Sequence, residues 1–327
     1  MGINDWPHLL ACLLVLCLCT AGMAHVPVQG GENDHLDHAL QIEDPEKSWV
    51  VYDTLPPGGG VKYYRFDLEE GDKLRLGLFI PPGYSAALPT LAVMGPGIAR
   101  SGTVPAGVEV PPDAGVVVVE SRAPVRPEYE PFTPSALSRV ATYSLDVATP
   151  GTYYAAVAGE DGNFGLSVGF REEFSLIEWL TVPLSVVGVH LWEGQIPLLV
   201  FGPLVLVLAI GAVVLARTPH RPDGPGIMAV VAGLLYIGGG AMVLLQMGIA
   251  LAQTGWSPAA LFTLLFALAP LALGTVAVRA GMKTERKGFA LEMAGVGLLG
   301  LLLWAGLVLG PVLALTSSLA AVFGRRG

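Results

Sequence analysis

Two short segments of the chain hold ionisable side chains at spacings that could support chemistry. In His190-Leu191-Trp192-Glu193-Gly194-Gln195, an imidazole and a carboxylate lie three residues apart within an apolar run. On a helix, His190 and Glu193 would share one face, as an acid–base pair or half of a metal site requires. The alternative interpretation, which we favour, is a polar collar at a membrane interface formed by His190, Trp192, Glu193 and Gln195.

The second segment, His35-Leu36-Asp37-His38, offers two imidazoles and one carboxylate. They could bind a metal ion if the segment became helical. The surrounding residues 25–47 are polar and acidic, which predicts a flexible lead-in. Because chelation by a disordered segment must offset the entropy of ordering it, we predict no metal site and no cofactor.

Motifs of common enzyme classes do not accompany these segments. The sequence contains neither H-E-x-x-H nor G-x-x-x-x-G-K-[ST], and no G-x-G-x-x-G that follows a strand-like stretch. The loop Pro56–Gly60 is not followed by a helix, so it is no phosphate cradle. We predict no catalytic residues and a protein that is not an enzyme, with a membrane hydrolase using His190 and Glu193 as the weakest alternative.

Composition and charge place these segments in a membrane protein. The 327 residues are 53% hydrophobic and only 14% charged, which indicates one domain plus a membrane bundle. Residues 25–195 carry 10 Lys or Arg against 23 Asp or Glu (10 − 23 = −13), whereas residues 196–327 carry 8 against 3 (8 − 3 = +5). The acidic half is expected to face an exterior, and its charge argues against nucleic acid as a partner.

The first 24 residues resemble a secretory signal peptide. An apolar run from Leu9 to Cys19 precedes small residues, and cleavage is expected after Ala24. An uncleaved anchor is the alternative, because the first eight residues include Asp5 and no Lys or Arg. Cleavage would remove Cys12, Cys17 and Cys19 together and leave no cysteine for a disulfide or a metal site.

Residues 48–171 show the period-two alternation of strands with one buried and one wet face. The turns Glu69–Asp72 and Gly159–Asn163 predict hairpins. About eight strands without an amphipathic helix predict an all-β, antiparallel, jelly-roll-like sandwich. Two loops, Gly95–Pro112 and Ser121–Ser138, are too long for plain connections, and long loops on a rigid sandwich are usual binding surfaces.

A family resemblance rests on two stretches of this region. The stretch Val61–Leu74, which reads VKYYRFDLEEGDKL, is followed about 75 residues later by Ala148–Tyr154, which reads ATPGTYY. Together they resemble the pre-peptidase C-terminal type of β-sandwich, a secreted accessory domain. The resemblance implies a fold and an extracytoplasmic location, and it covers about 110 residues. Members often carry an acidic pair in the strand after the first hairpin, and Leu88–Met94 has none, so no ion site is implied.

The second half predicts four transmembrane helices, at about 196–216, 226–251, 258–278 and 289–315, each long enough to cross a hydrocarbon core of about 30 Å. With the sandwich outside, Arg217, Arg221 and the basic cluster Arg279–Lys287 lie inside, as the positive-inside rule requires. The C-terminus then lies outside, where Arg325 and Arg326 are a mild violation of the rule.

Residues 172–195 are predicted to be an interfacial linker helix, with Trp179 and Trp192 at the headgroup layer. A fifth span over Ser175–Trp192 is the alternative, and it would move both basic loops outside.

Two functional hypotheses follow from these expectations. The first is a multi-pass protein of the cell (plasma) membrane whose extracytoplasmic sandwich binds an envelope protein, a glycan or another envelope component. The second is an accessory integral-membrane subunit of a transport or enzyme complex, with its helices packed on partner helices.

Overall fold

The computed structural model describes residues 25–83, 87–219, 221–283 and 287–324. The predicted signal peptide, with its three cysteines, and the basic residues Arg286, Arg325 and Arg326 lie outside the described residues. The chain divides into two compact units. The β unit comprises the residues up to Val125 together with Ser138–Ser175, and the helical unit comprises Arg126–Leu137 and the chain from Leu176 onward.

The strands form two sheets whose inner faces share one apolar core, as expected for a sandwich. One sheet has the order β1-β3-β11-β5-β9-β8, and the other has the order β2-β4-β10-β6-β7. The core between them includes Tyr64, Phe66, Leu78 and Phe164, all fully buried. The strand bounds are β1 Val26–Gln29, β2 Leu40–Gln41, β3 Trp49–Leu55, β4 Gly60–Leu68, β5 Lys73–Ile80, β6 Thr90–Gly95, β7 Gly115–Val119, β8 Glu128–Glu130, β9 Ser135–Asp146, β10 Gly151–Gly159 and β11 Gly162–Val168.

Both predicted hairpins are wrong. Strand β4 pairs with β2 and β10, whereas β5 pairs with β9 and β11 in the other sheet. The turn Glu69–Asp72, in which Gly71 has a φ of 95°, therefore carries the chain across the core from one sheet to the other. The turn between β10 and β11 does the same. Turn residues dictate that the chain reverses, but burial of the two apolar faces decides whether the strands lie side by side or face to face.

The predicted flexible lead-in is also wrong, because residues 25–47 belong to the sandwich. Strand β1 runs parallel to β3, and β2 runs parallel to β4, so the sandwich is not wholly antiparallel. Between them the buried Asn33 side chain donates to the Tyr63 carbonyl at 3.1 Å and to Asp53 at 3.3 Å. Asp53 also accepts a 2.7 Å bond from the Tyr64 hydroxyl. Composition predicted disorder, whereas a few specific buried hydrogen bonds order the segment.

The second unit contains three helices that are long and apolar enough to cross a membrane, so the chain is a membrane protein by length and composition. They are α2, Pro197–Arg217, α3, Gly224–Thr254, and α4, Ala260–Met282. These bounds agree with the first three predicted spans to within a few residues. Helix α1, Leu176–Trp192, precedes them and buries Val182, Pro183, Val189 and His190.

The fourth predicted span, 289–315, is not one helix. Helix α5, Phe289–Leu302, has 14 residues and α6, Leu309–Phe323, has 15, so each is about 21–23 Å long and shorter than a hydrocarbon core. The two helices are antiparallel, since the Ser318 hydroxyl near the end of α6 donates to the carbonyl of Ala290 near the start of α5, at 2.6 Å. The connection has positive φ values at Trp304, Gly306, Leu307 and Val308.

Small residues bring this hairpin against α3. A Cβ on Gly306 or Gly310 would stand 2.6 or 2.5 Å from the Tyr236 ring of α3. One on Gly239 would stand 3.3 Å from the Gly306 nitrogen. The glycines therefore allow close approach of backbones, as in helix packing within lipid.

Candidate functional site

The second long loop forms a small hairpin that folds as part of the helical unit. Strand β8 pairs antiparallel with Ser135–Leu137, and the Glu130 carboxylate closes the intervening turn. It accepts hydrogen bonds from the backbone N–H groups of Phe132 and Thr133 and from the Thr133 hydroxyl. The expectation of a free binding loop does not hold for this part of it.

Three contacts fix the hairpin to α4. The Tyr129 hydroxyl donates to Thr263 Oγ1 at 2.7 Å, and Thr263 Oγ1 donates in turn to the Pro131 carbonyl at 2.7 Å. The Phe132 and Phe262 rings pack with centroids 4.7 Å apart. The fully buried Thr263 hydroxyl thus joins the hairpin to the start of α4 as a hydrogen-bond acceptor and as a donor.

Burial raises the pKa of the Glu130 carboxyl, while the hydrogen bonds from Thr133 and Phe132 lower it and the charge of Glu193 raises it further. An acid with a raised folded-state pKa stabilises the fold below its unfolded pKa, and this contribution is lost as the pH rises through the folded pKa. The contribution of Glu130 to folding stability is therefore largest in acid.

The predicted collar forms a buried polar cluster at the end of α1. His190 Nδ1 lies 3.1 Å from Glu193 Oε2, and the two side chains are only 4% and 7% exposed. Gln195 Nε2 donates to the same oxygen at 3.1 Å. The Gln195 and Gln246 amides exchange two hydrogen bonds of 2.8 Å each, which joins the cluster to α3.

A tight turn positions this cluster. Gly194 has a φ of 86°, and the backbone N–H of Gln195 donates to the His190 carbonyl at 3.1 Å. Pro197 then begins α2. The turn folds Gln195 back over the last turn of α1, so that His190, Glu193 and Gln195 meet. Trp192 lies half-buried at the last residue of α1.

Gln246 is the member of the cluster that was not predicted. It is 2% exposed, on α3, and 51 residues from its partner Gln195. The sequence signal for its role was that Gln246 is an isolated amide in an apolar span, because a buried polar group requires a hydrogen-bond partner. Glu193 Oε1 remains a buried oxygen without a hydrogen-bond partner within the part of the chain that the structure describes.

An apolar cavity of about 100 Å³ lies next to this cluster, within the helical unit. Its walls come from α1, α3 and α4, from residues 131–134 and from the break between α5 and α6. Polar groups enter it from His190, Gln246 and Thr263. Packed rings with neighbouring centroids 4.7–6.1 Å apart border it, namely Phe132, Phe262, Phe266 and Trp304. Trp179 packs against Trp304 with the ring centroids 4.5 Å apart.

The β unit carries a separate polar groove of about 560 Å³. The Gly58–Gly60 turn and the first long loop line it, with exposed carboxylates from Asp34, Glu109 and Glu160. The loop is pinned beneath by Tyr63, whose hydroxyl donates to the Gly107 carbonyl at 3.2 Å and accepts from the Glu109 N–H at 2.7 Å.

The other candidate residues do not assemble a site of known chemistry. His35 lies 3.5 Å from Glu109, and His38 lies 3.9 Å from Asp37. No group of three His, Cys, Asp or Glu side chains that could hold a metal ion occurs among the described residues. The letters G-x-S-x-G occur at Gly165–Gly169, but they lie along β11 rather than at a strand-to-helix turn, and the Ser167 hydroxyl donates to the Gly77 carbonyl at 3.0 Å.

Comparison with known proteins adds no relative to this description. No protein-family model matches the sequence, and no curated protein is significantly similar to it.

The amide pair predicts a measurable coupling between Gln195 and Gln246. Gln195→Leu alone should lower the free energy of unfolding by about 1–3 kcal/mol, because Gln246 would be buried without its partner. Gln246→Leu should lower it by less, because the half-buried Gln195 keeps its bond to Glu193. The double variant should lose less than the sum of the two, with a coupling of about 0.5–1.5 kcal/mol. Unfolding in mixed detergent micelles would measure this cycle. Strict additivity would show that the pair contributes nothing.

The Thr263 hydroxyl predicts a second effect, on the hairpin. Thr263→Val keeps the shape of the side chain but removes both hydrogen bonds, so hydrogen exchange of peptide 126–137 should become about 5- to 100-fold faster. Thr275→Val is the matched control on the same helix, because its exposed hydroxyl bonds only to the Leu271 carbonyl. Equal exchange in the two variants would contradict the role of Thr263.

Proposed function

We propose that the protein is a multi-pass protein of the cell membrane that presents its β-sandwich outside the cell to bind an envelope component, and that it performs no catalysis. The proposal rests on one observation, which is that the two long loops pack in different units. Residues 126–137 fold into the helical unit, whereas the first long loop lines a groove of about 560 Å³ on the sandwich. One loop thus serves the membrane unit, and the other serves a binding surface.

Charge supports the orientation. The basic residues at the ends of α2 and α4 favour the cytoplasmic side. Gln246 follows Gly224 by 22 residues (246 − 224), which is about 33 Å along α3 and close to the thickness of a hydrocarbon core. The collar would then lie at the outer interface, as predicted. The resemblance to secreted pre-peptidase C-terminal domains agrees with a jelly-roll-like sandwich on that side.

We also propose three spans and a re-entrant hairpin in place of four spans. The Ser317 hydroxyl near the end of α6 donates to the Pro225 carbonyl at the start of α3, at 2.7 Å. Helix α6 therefore ends on the side where α3 and α5 begin. A chain that ends on this side agrees with the positive-inside rule, whereas four spans would place the C-terminal arginines outside.

Cysteine labelling of intact cells tests this topology. In a variant with Cys12, Cys17 and Cys19 replaced by serine, Glu70→Cys should react with a membrane-impermeant maleimide. Lys287→Cys and Gly324→Cys should react only after permeabilisation, since both follow the cytoplasmic ends of helices. Labelling of Gly324→Cys in intact cells would support the four-span topology instead. Labelling of Lys287→Cys in intact cells would show that the orientation is the opposite of the one proposed.

The groove indicates the chemistry of its partner. Its exposed carboxylates, from Asp34, Glu109 and Glu160, accept hydrogen bonds and favour positive charge. A partner rich in donors, such as the hydroxyls of a glycan or the amino groups of an envelope protein, fits this surface. Nucleic acid does not fit it, because phosphates would meet like charge.

Charge reversal in the groove tests the binding role. The purified full-length protein should co-sediment with the cell-envelope fraction of its own organism, and Glu109→Lys should weaken this by about fivefold or more, as expected for one unfavourable charge contact of about 1 kcal/mol. Asp146→Lys, an exposed acid on β9, is the charge-matched control. Equal sedimentation of both variants and the unaltered protein would exclude the groove as the binding site.

The cluster around His190 supports a structural rather than a catalytic role. The Glu193 oxygen that faces His190 is shared with Gln195, and the nearby Thr263 hydroxyl already donates to Pro131. These groups hold one another in place, as expected for a collar that joins α1 to α3.

An accessory membrane subunit is the second candidate, and α2 favours it. Only Val200 and Leu204 of its 21 residues are buried. Its remaining apolar surface suits lipid or partner helices. Stoichiometric copurification of another membrane protein, lost on substitution along α2 but not with Glu109→Lys, would favour this candidate.

A further inference from the structure

The cavity beside the collar has an apolar, aromatic wall and, at one place, side-chain polar groups that can form further hydrogen bonds. His190 is 3% exposed and lines it. The imidazole uses Nδ1 toward Glu193, and Nε2 makes no hydrogen bond to any residue that the structure describes. A ring nitrogen that faces a cavity without a protein partner can form a hydrogen bond with an occupant, so the cavity favours an occupant that completes it.

Gln246 brings a second hydrogen-bonding group to the same cavity. Its Nε2 donates one hydrogen to Gln195, which leaves the other N–H of the amide. An occupant beside both groups must accept from Gln246. Toward His190 Nε2 it must donate if the ring is neutral and accept if the ring is charged. A hydroxyl group meets each of these requirements, because it is donor and acceptor at once.

The rest of the wall restricts what can be attached to that hydroxyl. Apart from His190, no ionisable side chain lines the cavity among the described residues, so a phosphate or ammonium group would be desolvated without a counter-charge. The cavity volume of about 100 Å³ is smaller than the roughly 150 Å³ of an apolar cavity that holds benzene. It suits a few carbons of a chain rather than a bulky head group.

The break between α5 and α6 forms part of this wall in an unusual backbone conformation. Trp304, Leu307 and Val308 have φ values of 51°, 54° and 66°, which are uncommon for residues with side chains and strained for a β-branched one. Such strain persists where the surroundings fix it, often at ligand sites. Here the Trp304 ring lies at the cavity and packs at a tilt against Trp179, with the ring centroids 4.5 Å apart.

We propose that this cavity binds the hydroxyl end of a single aliphatic or isoprenoid chain, taken from the surrounding membrane. The hydroxyl lies between His190 and Gln246, and the first carbons of the chain pack on the aromatic wall. This site is independent of the groove on the β unit, so either proposal can fail without the other.

Thermal unfolding of the full-length protein in lipid nanodiscs tests the site, with 1-dodecanol, farnesol and dodecane as probes. An alcohol should stabilise the protein in a saturable way, with an apparent affinity about five- to tenfold higher than that of dodecane, the effect of one or two net hydrogen bonds. Preference for farnesol over dodecanol would indicate an isoprenoid chain, and the reverse preference an aliphatic one.

Val186→Phe, which fills the cavity from α1, should abolish the stabilisation by alcohol. Leu184→Phe is the matched control on the same helix, since Leu184 is 55% exposed, and it should respond as the unaltered protein does. If Val186→Phe fails to fold, native mass spectrometry of the unaltered protein with each probe decides the question by the number of molecules retained. Equal effects of dodecanol and dodecane, or an unchanged response in folded Val186→Phe, would overturn the proposal.

Discussion

The helical unit depends on how the end of α5, where the chain turns into the antiparallel α6, satisfies its backbone inside an apolar bundle. Helix α5 ends at Leu302, and carbonyl groups in its last turn have no partner along the helix. The Trp179 indole of α1 donates to the Leu301 carbonyl at 3.2 Å and its ring packs on Trp304. Beyond the end of α1, Gln195 bonds to Gln246 of α3, so the segment that covers the break also carries the collar, and both border the same cavity.

The parts of the fold that follow from local pattern were predictable. Alternation predicts a strand and apolar length predicts a span, so α2–α4 and eight of the eleven described strands were found, whereas the short strands β1, β2 and β8 were missed. The break in the fourth span was not, because residues 289–323 are mostly apolar, with Glu292 as the one charged residue, and hydropathy does not report the direction of the backbone. The strand pairings also escaped prediction, since a turn such as Glu69–Asp72 serves a hairpin and a crossing between sheets equally well.

The same distinction applies to the candidate site. Helical spacing predicted that His190 and Glu193, three residues apart, would share one face, and the collar interpretation grouped them with Trp192 and Gln195. Their partner Gln246 lies 51 residues from Gln195, and the Tyr129–Thr263 bond joins residues 134 apart. No periodicity carries information across such separations. The sequence shows only that Gln246 is an isolated amide in an apolar span. A buried amide needs a hydrogen-bond partner, but the sequence does not identify that partner.

The two structural units do not coincide with the two halves that the sequence pattern predicts. Residues 126–137 include β8 and the first residues of β9, yet they pack on Phe262 and Thr263. A soluble fragment that ends at Phe170 would keep this hairpin and remove both partners, which exposes Phe132 and leaves the Tyr129 hydroxyl without its acceptor. Binding by the sandwich therefore has to be measured on the full chain, because the isolated domain would carry an artificial apolar surface.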